Sequence, residues 1–434
     1  MHYFSLFTAI SLFAPWGLQD SKAIDHLIAQ HAGPFTIPWL QNLLNSDDDM
    51  TEAYAASAFA SLGVEARSAI PFLVNALRHK DPHIRVAILD AIGNCPAEAS
   101  SSIEILLELL NDESSAVRRS AAITVARLAP KSADVAHRLC LLLRTEQDAE
   151  VREAISLAIG SMASAAKLAI CQLQSVARLN DPAGIDERVD ELMVRIQAAA
   201  SLCRINGDSR VVPWLIAIIR NERLFYVIRE AAVDALGQIG ERSMRAVPYL
   251  CDAVRFWRAS GEHIVGPAAI RALGNIGECP ELVFLTLKPL VKDPYGLNGY
   301  PDYFALWSLE AIASCRPITW ETQECLERAL EYRDNRARLV AARALVRSGI
   351  TNSRILDVLI EILNSPPPPF AETWEFEWKL IAASESRDTA SLLGEMGSVA
   401  GRAIPTLLHI VQRSEFETVR DAARKAITRI QACR

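Results

Sequence analysis

"VIREAAVDALGQIG", residues 227–240, recurs in altered form along the chain, as "HIRVAILDAIGNCP" (83–96), "AVRRSAAITVARLA" (116–129), "EVREAISLAIGSMA" (150–163) and "TVRDAARKAITRIQ" (418–431). Each copy has a Val or Ile followed by Arg, then small and aliphatic residues at helical spacing. Eight positions after the Arg stands Gly93, Gly160 or Gly237 in three of the copies. The anchors Arg85, Arg118, Arg152, Arg195 and Arg229 are 33, 34, 43 and 34 residues apart. A period in this range is the signature of a helical solenoid.

A second amphipathic segment precedes many copies: "AIPFLVNAL" (69–77), "VVPWLIAII" (211–219), "AVPYLCDAV" (246–254) and "AIPTLLHIV" (403–411). Proline stands third in all four. Its fixed φ and missing N–H suit the first turn of a helix, so Pro71, Pro213, Pro248 and Pro405 mark helix starts. Apolar residues then fall at helical spacing, without the alternation that strands require. Short polar turns such as "RHKDPH" (78–83) and "NDES" (111–114) have the length that joins antiparallel helices.

Pro-led helix, Asp-bearing turn, Val-Arg and Ala-Leu-Gly-x-Ile-Gly together resemble the HEAT repeat, in the form of the phycobilisome-lyase-type HEAT-like repeats. The resemblance covers roughly residues 34 to 434, or about eleven repeats. It is strong at 66–163 and 211–277, weaker at 281–400, and returns at 403–434. The fold it implies is an all-α superhelix of stacked helical hairpins. One hairpin cannot cover its own apolar face, and stacking copies builds a continuous core. The resemblance also implies an electrostatic ladder, here pairing Asp81 with Arg85, Asp112 with Arg118 and Asp148 with Arg152, with Arg229 in the same register. An Asp that caps a helix and an Arg one turn on fit such a role.

Composition narrows the function. The chain has 434 residues, half of them hydrophobic, and a net charge of −7. That balance argues against chain-wide attraction to nucleic acid or an anionic membrane. Nine cysteines, an odd number without a C-x-x-C pair, argue against a disulfide framework or a Cys-based zinc site. His79 and His83 flank a turn but lack a third clear ligand. No cofactor is expected. Deoxyhypusine hydroxylases, a HEAT-like family, bind di-iron through His-Glu dipeptides, and this sequence has none. No phosphate-binding glycine loop, nucleophile elbow or H-E-x-x-H helix is present.

Four segments are expected: an apolar 1–33, regular repeats at 34–290, irregular repeats at 291–402 and a final repeat at 403–434. "YFSLFTAISLFA" (3–14) ahead of "SKA" (21–23) is compatible with an export signal through residue 23, yet no Lys or Arg precedes it. The segment therefore reads better as a capping helix of a cytoplasmic protein, and no apolar run is long enough for a membrane span.

Breaks in a repeat tend to lie on the binding face. "NDPAGIDERVDEL" (180–192) lengthens one step. "KDPYGLNGYPDYFALW" (292–307) and "NSPPPPFAETWEFEWKL" (364–380) concentrate Pro, Gly and aromatics. Trp374 and Trp378, four apart, fit the core of an atypical helix after a stiff Pro366 to Pro369 connector; in the other reading Tyr300, Tyr303, Trp307, Phe370, Trp374 and Trp378 are candidate partner-binding residues, because exposed aromatics anchor interfaces. Arg336, Arg343 and Arg347 share a helix face that could meet an acidic partner. The expected function is a non-catalytic scaffold for protein–protein interaction, with a tetrapyrrole lyase or chaperone of the HEAT-like type as the alternative.

Overall fold

Proline and glycine set the helix limits in the computed structural model of the chain, which describes residues 36–432 apart from 47, 96–98, 100–101, 182–186, 261–264, 278–280, 295–301, 317 and 366–374. The expected segment 1–33 and the four-proline run thus lie outside the described residues. Within them the fold is α-helix and 3-10 turn, with no β-strand.

Ten pairs of successive described helices pack as hairpins. The first six are α1 (Thr36–Leu44) with α2 (Asp49–Leu62), α3 (Ile70–Ala76) with α4 (Pro82–Gly93), α5 (Ile103–Glu108) with α6 (Ser115–Leu128), α7 (Ala133–Thr145) with α8 (Ala149–Ser161), α9 (Ile170–Ala177) with α10 (Val189–Asn206), and α11 (Val211–Arg220) with α12 (Tyr226–Ile239). The rest are α13 (Val247–Ser260) with α14 (Gly266–Ile276), α15 (Glu281–Leu287) with α16 (Tyr303–Ser314), α17 (Trp320–Ala329) with α18 (Asn335–Arg347) and, after the helices α19 (Ser353–Asn364) and α20 (Glu375–Glu395), α21 (Ile404–Arg413) with α22 (Glu417–Ala432). Pro71, Pro213, Pro248 and Pro405 all fall in the first turn of an odd-numbered helix, as their chemistry requires.

Packing gathers the chain into two compact units, one of residues 1–128 and 363–434, the other of 129–362. In the first, α2 packs on α4 and α4 on α6, while α20 packs on α22. In the second, the even-numbered helices follow one another from α8 to α18. Their apolar faces supply the core: Ile228, Leu236, Leu273 and Leu345 are each at most 2 % exposed. Burying one such side chain contributes roughly 1.5–3 kcal/mol.

The repeated glycines are where even-numbered helices approach most closely. A Cβ on Gly160 would lie 2.2 Å from Ser201 Oγ of the next even helix, and one on Gly237 or Gly274 would lie 3.0 Å from the Cα of Ala272 or Ala311. A side chain at these positions would push the backbones apart.

Between some hairpins the chain runs through a seven-residue 3-10 helix, at Gly63–Ala69, Ala163–Ala169, Gly240–Ala246 and Gly397–Ala403. Gly63, Gly240 and Gly397 adopt φ of 54°, 72° and 59°, a left-handed conformation costly for other residues. These turns lead directly into the Pro-bearing helices α3, α13 and α21.

Candidate functional site

Arg85 and Arg152 each bond to an acid of the following repeat. Asp81 instead caps α4, accepting from His83 N–H at 2.7 Å, and Asp148 caps α8 through Val151 N–H at 3.1 Å. Each Asp thereby satisfies a free helix N-terminal donor. Arg85, 7 % exposed, donates to the carbonyls of His79 and Lys80 at 2.8 and 3.1 Å and to Asp112 of the following repeat at 2.8 Å. Arg118 reaches the main-chain carbonyls of Asp112 and Glu113, and Arg152 reaches Glu191 at 2.8 Å. Arg229 donates to the carbonyl of Ile219 at 3.0 Å. At Arg85 and Arg152 the ladder thus runs forward to an acid of the next repeat, whereas Arg118 and Arg229 reach carbonyls of their own hairpin. A guanidinium has enough donors to do both.

Arg195 is the most buried of this series at 1 % exposure. It donates to the carbonyls of Ala177, Arg178 and Asp181, bonds Glu187, and lies 5.2 Å from the Trp214 ring. Trp214 Nε1 also donates to the Asp181 carbonyl at 3.3 Å. Both ends of the long 180–192 insertion are thus pinned to one guanidinium.

Of the aromatic candidates, Trp307 is half-buried and serves packing. Its ring lies 5.2 Å from the Arg271 guanidinium and 5.7 and 6.0 Å from the Phe304 and Tyr303 rings. Arg271 also meets Asp234 at 3.4 Å, so Asp234, Arg271 and Trp307 link α12, α14 and α16. Desolvation raises the Asp234 carboxyl above its ordinary value, opposed by Arg271. Phe304 stacks 5.0 Å from Trp257. Tyr303 is exposed at 41 %. Tyr300, Phe370 and Trp374 lie outside the described residues, and of Trp378 only its place in α20 is described.

The arginines of α18 are not a uniform open face. Arg336 is half-buried and pairs with Asp334 at 3.4 Å, Arg343 is half-buried, and Arg347 is exposed. His79 has a structural role: Nδ1 accepts from Asp81 N–H at 3.0 Å and Nε2 meets Glu52 at 3.1 Å. Among the described residues no group of His, Cys, Asp and Glu is arranged to hold a metal ion. Cys95, Cys203, Cys251 and Cys315 are buried, while Cys171 is exposed. Desolvation raises the Cys203 and Cys325 thiols, away from the reactive thiolate.

A different aromatic surface appears one hairpin earlier than the sequence suggested. Phe225 and Tyr226, at the entry to α12, are 68 % and 52 % exposed, and Phe256 and Tyr249 on α13 are 62 % and 37 % exposed. Arg220, at the end of α11, lies 5.7 Å from the Tyr249 ring and ties these elements together. Tyr249 and Phe256 are seven residues apart, hence on one helix face. That spacing inside the "AVPYLCDAVRFW" helix was the available signal, but both residues read equally well as core.

The stacked hairpins define the class: an all-α repeat protein in which each unit buries its face on the next. The chain carries HEAT repeats: models of the HEAT repeat match residues 103–132 and 188–256. No curated protein matches its sequence. Among solved structures it is similar to an engineered protein, at 18% identity and TM-score 0.29 over 91% of this chain and 98% of that one. Importin beta matches at 14% identity and TM-score 0.45 over 94% of this chain and 61% of that one. Yeast importin-beta (Kap95p) matches at 12% and 0.42 over 99% and 65%. No described helix is long and apolar enough to cross a membrane.

Proposed function

We propose that the chain is a non-catalytic HEAT-repeat scaffold that binds a protein partner along the aromatic edge formed by Phe225, Tyr226, Tyr249 and Phe256. The observation that carries this reading is their exposure, because large aromatics left in water at adjoining helix ends are the side chains that anchor protein interfaces. Tyr303 extends the candidate surface on α16. The burial of most described thiols favours the scaffold over a lyase, whose chemistry would call for accessible Cys.

The test is affinity capture from native lysate with the parent, with a Phe225→Ser, Tyr226→Ser, Phe256→Ser variant and with Tyr303→Ala, each first checked for unchanged helicity. The triple variant is expected to lose a specific set of partners that the parent retains. Identical partners on parent and triple variant would refute this edge as the docking surface.

A further inference from the structure

α22 closes the last hairpin, and the face it would offer to a further repeat meets the first 3-10 turn instead. Arg67 of that turn pairs with Asp421 at 3.0 Å and Glu417 at 3.3 Å, across 354 residues of sequence in the former case. Next to this contact α20 and α22 pack tightly, with a Cβ on Gly394 only 3.1 Å from Ala426 Cα. Here lies a cavity of about 340 Å³, open to solvent and lined by Arg67, Arg387, Lys425 and Arg429 as well as Asp421.

Four cations around one cavity run against a chain whose net charge is −7. The adjacent carboxylates do not use up this charge. Arg67 and Arg424 share Asp421, Arg424 at 2.9 Å, and Arg67 also meets Glu417. Arg387 reaches Ser384 Oγ at 3.1 Å and Asp388 at 3.5 Å. Lys425 and Arg429 are exposed and make no side-chain hydrogen bond or ion pair among the described residues. Five cations with Arg424 included, set against Asp421, Glu417 and Asp388, leave an excess of two positive charges. A polar face on a terminal repeat explains charge that keeps the end soluble. It does not explain unpaired cations of one sign converging on a concavity.

A phosphoryl dianion supplies the missing two charges and oxygen acceptors that match guanidinium and ammonium donors. We propose that this cavity binds a phosphoryl dianion, with Lys425 and Arg429 on one wall and Arg67 and Arg387 on the others, so that the ligand joins the first repeat to the last. This goes beyond the scaffold reading and uses surfaces outside the aromatic edge, so either reading can fail alone.

The experiment is calorimetric titration of the full chain with inorganic phosphate and pyrophosphate at constant ionic strength, repeated on Lys425→Ala, Arg429→Ala. Both side chains are exposed, and unchanged circular dichroism will show that the variant folds. Saturable binding weakened at least about tenfold in the variant is expected, as for the loss of charge-assisted hydrogen bonds. Tighter binding of a phosphoserine peptide than of inorganic phosphate would assign the group to a protein, and tighter binding of a sugar phosphate would assign it to a small metabolite. Absence of saturable binding, equal binding by the variant, or binding to an oligonucleotide but not to phosphate would overturn the proposal.

Discussion

Two junctions in this molecule join repeats in different ways. Along α10, α12, α14 and α16 the backbones meet at glycine and alanine, with Ala198, Ala235, Ala272 and neighbouring aliphatic side chains at most 1 % exposed. Where α22 meets the first 3-10 turn, the contact is an Arg67 side chain 29 % exposed against Asp421 and Glu417 at 30 % and 60 %. Apolar burial is insensitive to salt, whereas exposed ion pairs contribute about 0–1 kcal/mol and are screened over about 8 Å at physiological ionic strength. Neighbours in sequence are therefore held strongly, and the meeting of the two ends is held weakly and responds to conditions.

The largest expected effect breaks the apolar junction. Leu236→Asp buries a charge in a site with no solvent access, and urea denaturation should show a loss of about 4 kcal/mol. Unfolding that matches the parent would show that this face carries no core. Arg195→Met removes one of the two arginines that meet Glu187 and the donor to three carbonyls; denaturation should register a loss of about 3 kcal/mol. Gly160→Ala forces α8 away from Ser201, with an expected cost of about 2 kcal/mol. A neutral result there would mean that the helices slide apart freely.

The smallest effect belongs to the polar junction. Arg67→Ala should change global stability by less than about 1 kcal/mol while raising hydrogen exchange in α22 and leaving α12 unaffected. The side-chain bond from Arg67, with help from Arg424, holds the Asp421 carboxyl below its ordinary value. A depressed folded-state pKa means that this contribution is complete above the usual carboxylate value near about 4 and fades as pH falls through the lowered value. The protection factors of α22, corrected for the intrinsic pH dependence of exchange, should thus fall on acidification in the parent, and the fall should be smaller in Arg67→Ala. Equal acid response in both would separate Asp421 from the contact.

The hairpins were legible because their signals are local. Val-Arg and the glycine eight residues later fix the register of one helix, and proline fixes the start of another. The direction of the Arg ladder was not legible, since Arg85 has Asp81 four residues away in sequence and Asp112 one repeat away, and spacing alone favours the nearer acid. Helix capping occupies Asp81 first. Trp307 was read as a partner contact because its segment is irregular, yet Arg271 on the preceding even helix gives its ring an internal use. The exposure of Phe225 and Phe256 was not legible for the converse reason: each sits in a regular repeat, and periodicity does not tell an outward aromatic from an inward one. Arg67 and Asp421 met no rule at all, being brought together only by the packing of distant repeats.

Arg195 has a further consequence for how this chain can vary. Its guanidinium grips Ala177, Arg178 and Asp181 on one side and Glu187 on the other, so the ends of the intervening segment are anchored independently of its contents. A substitution at Arg195 would therefore loosen Asp181 and Glu187 together, so this position is far less free to vary than an exposed arginine.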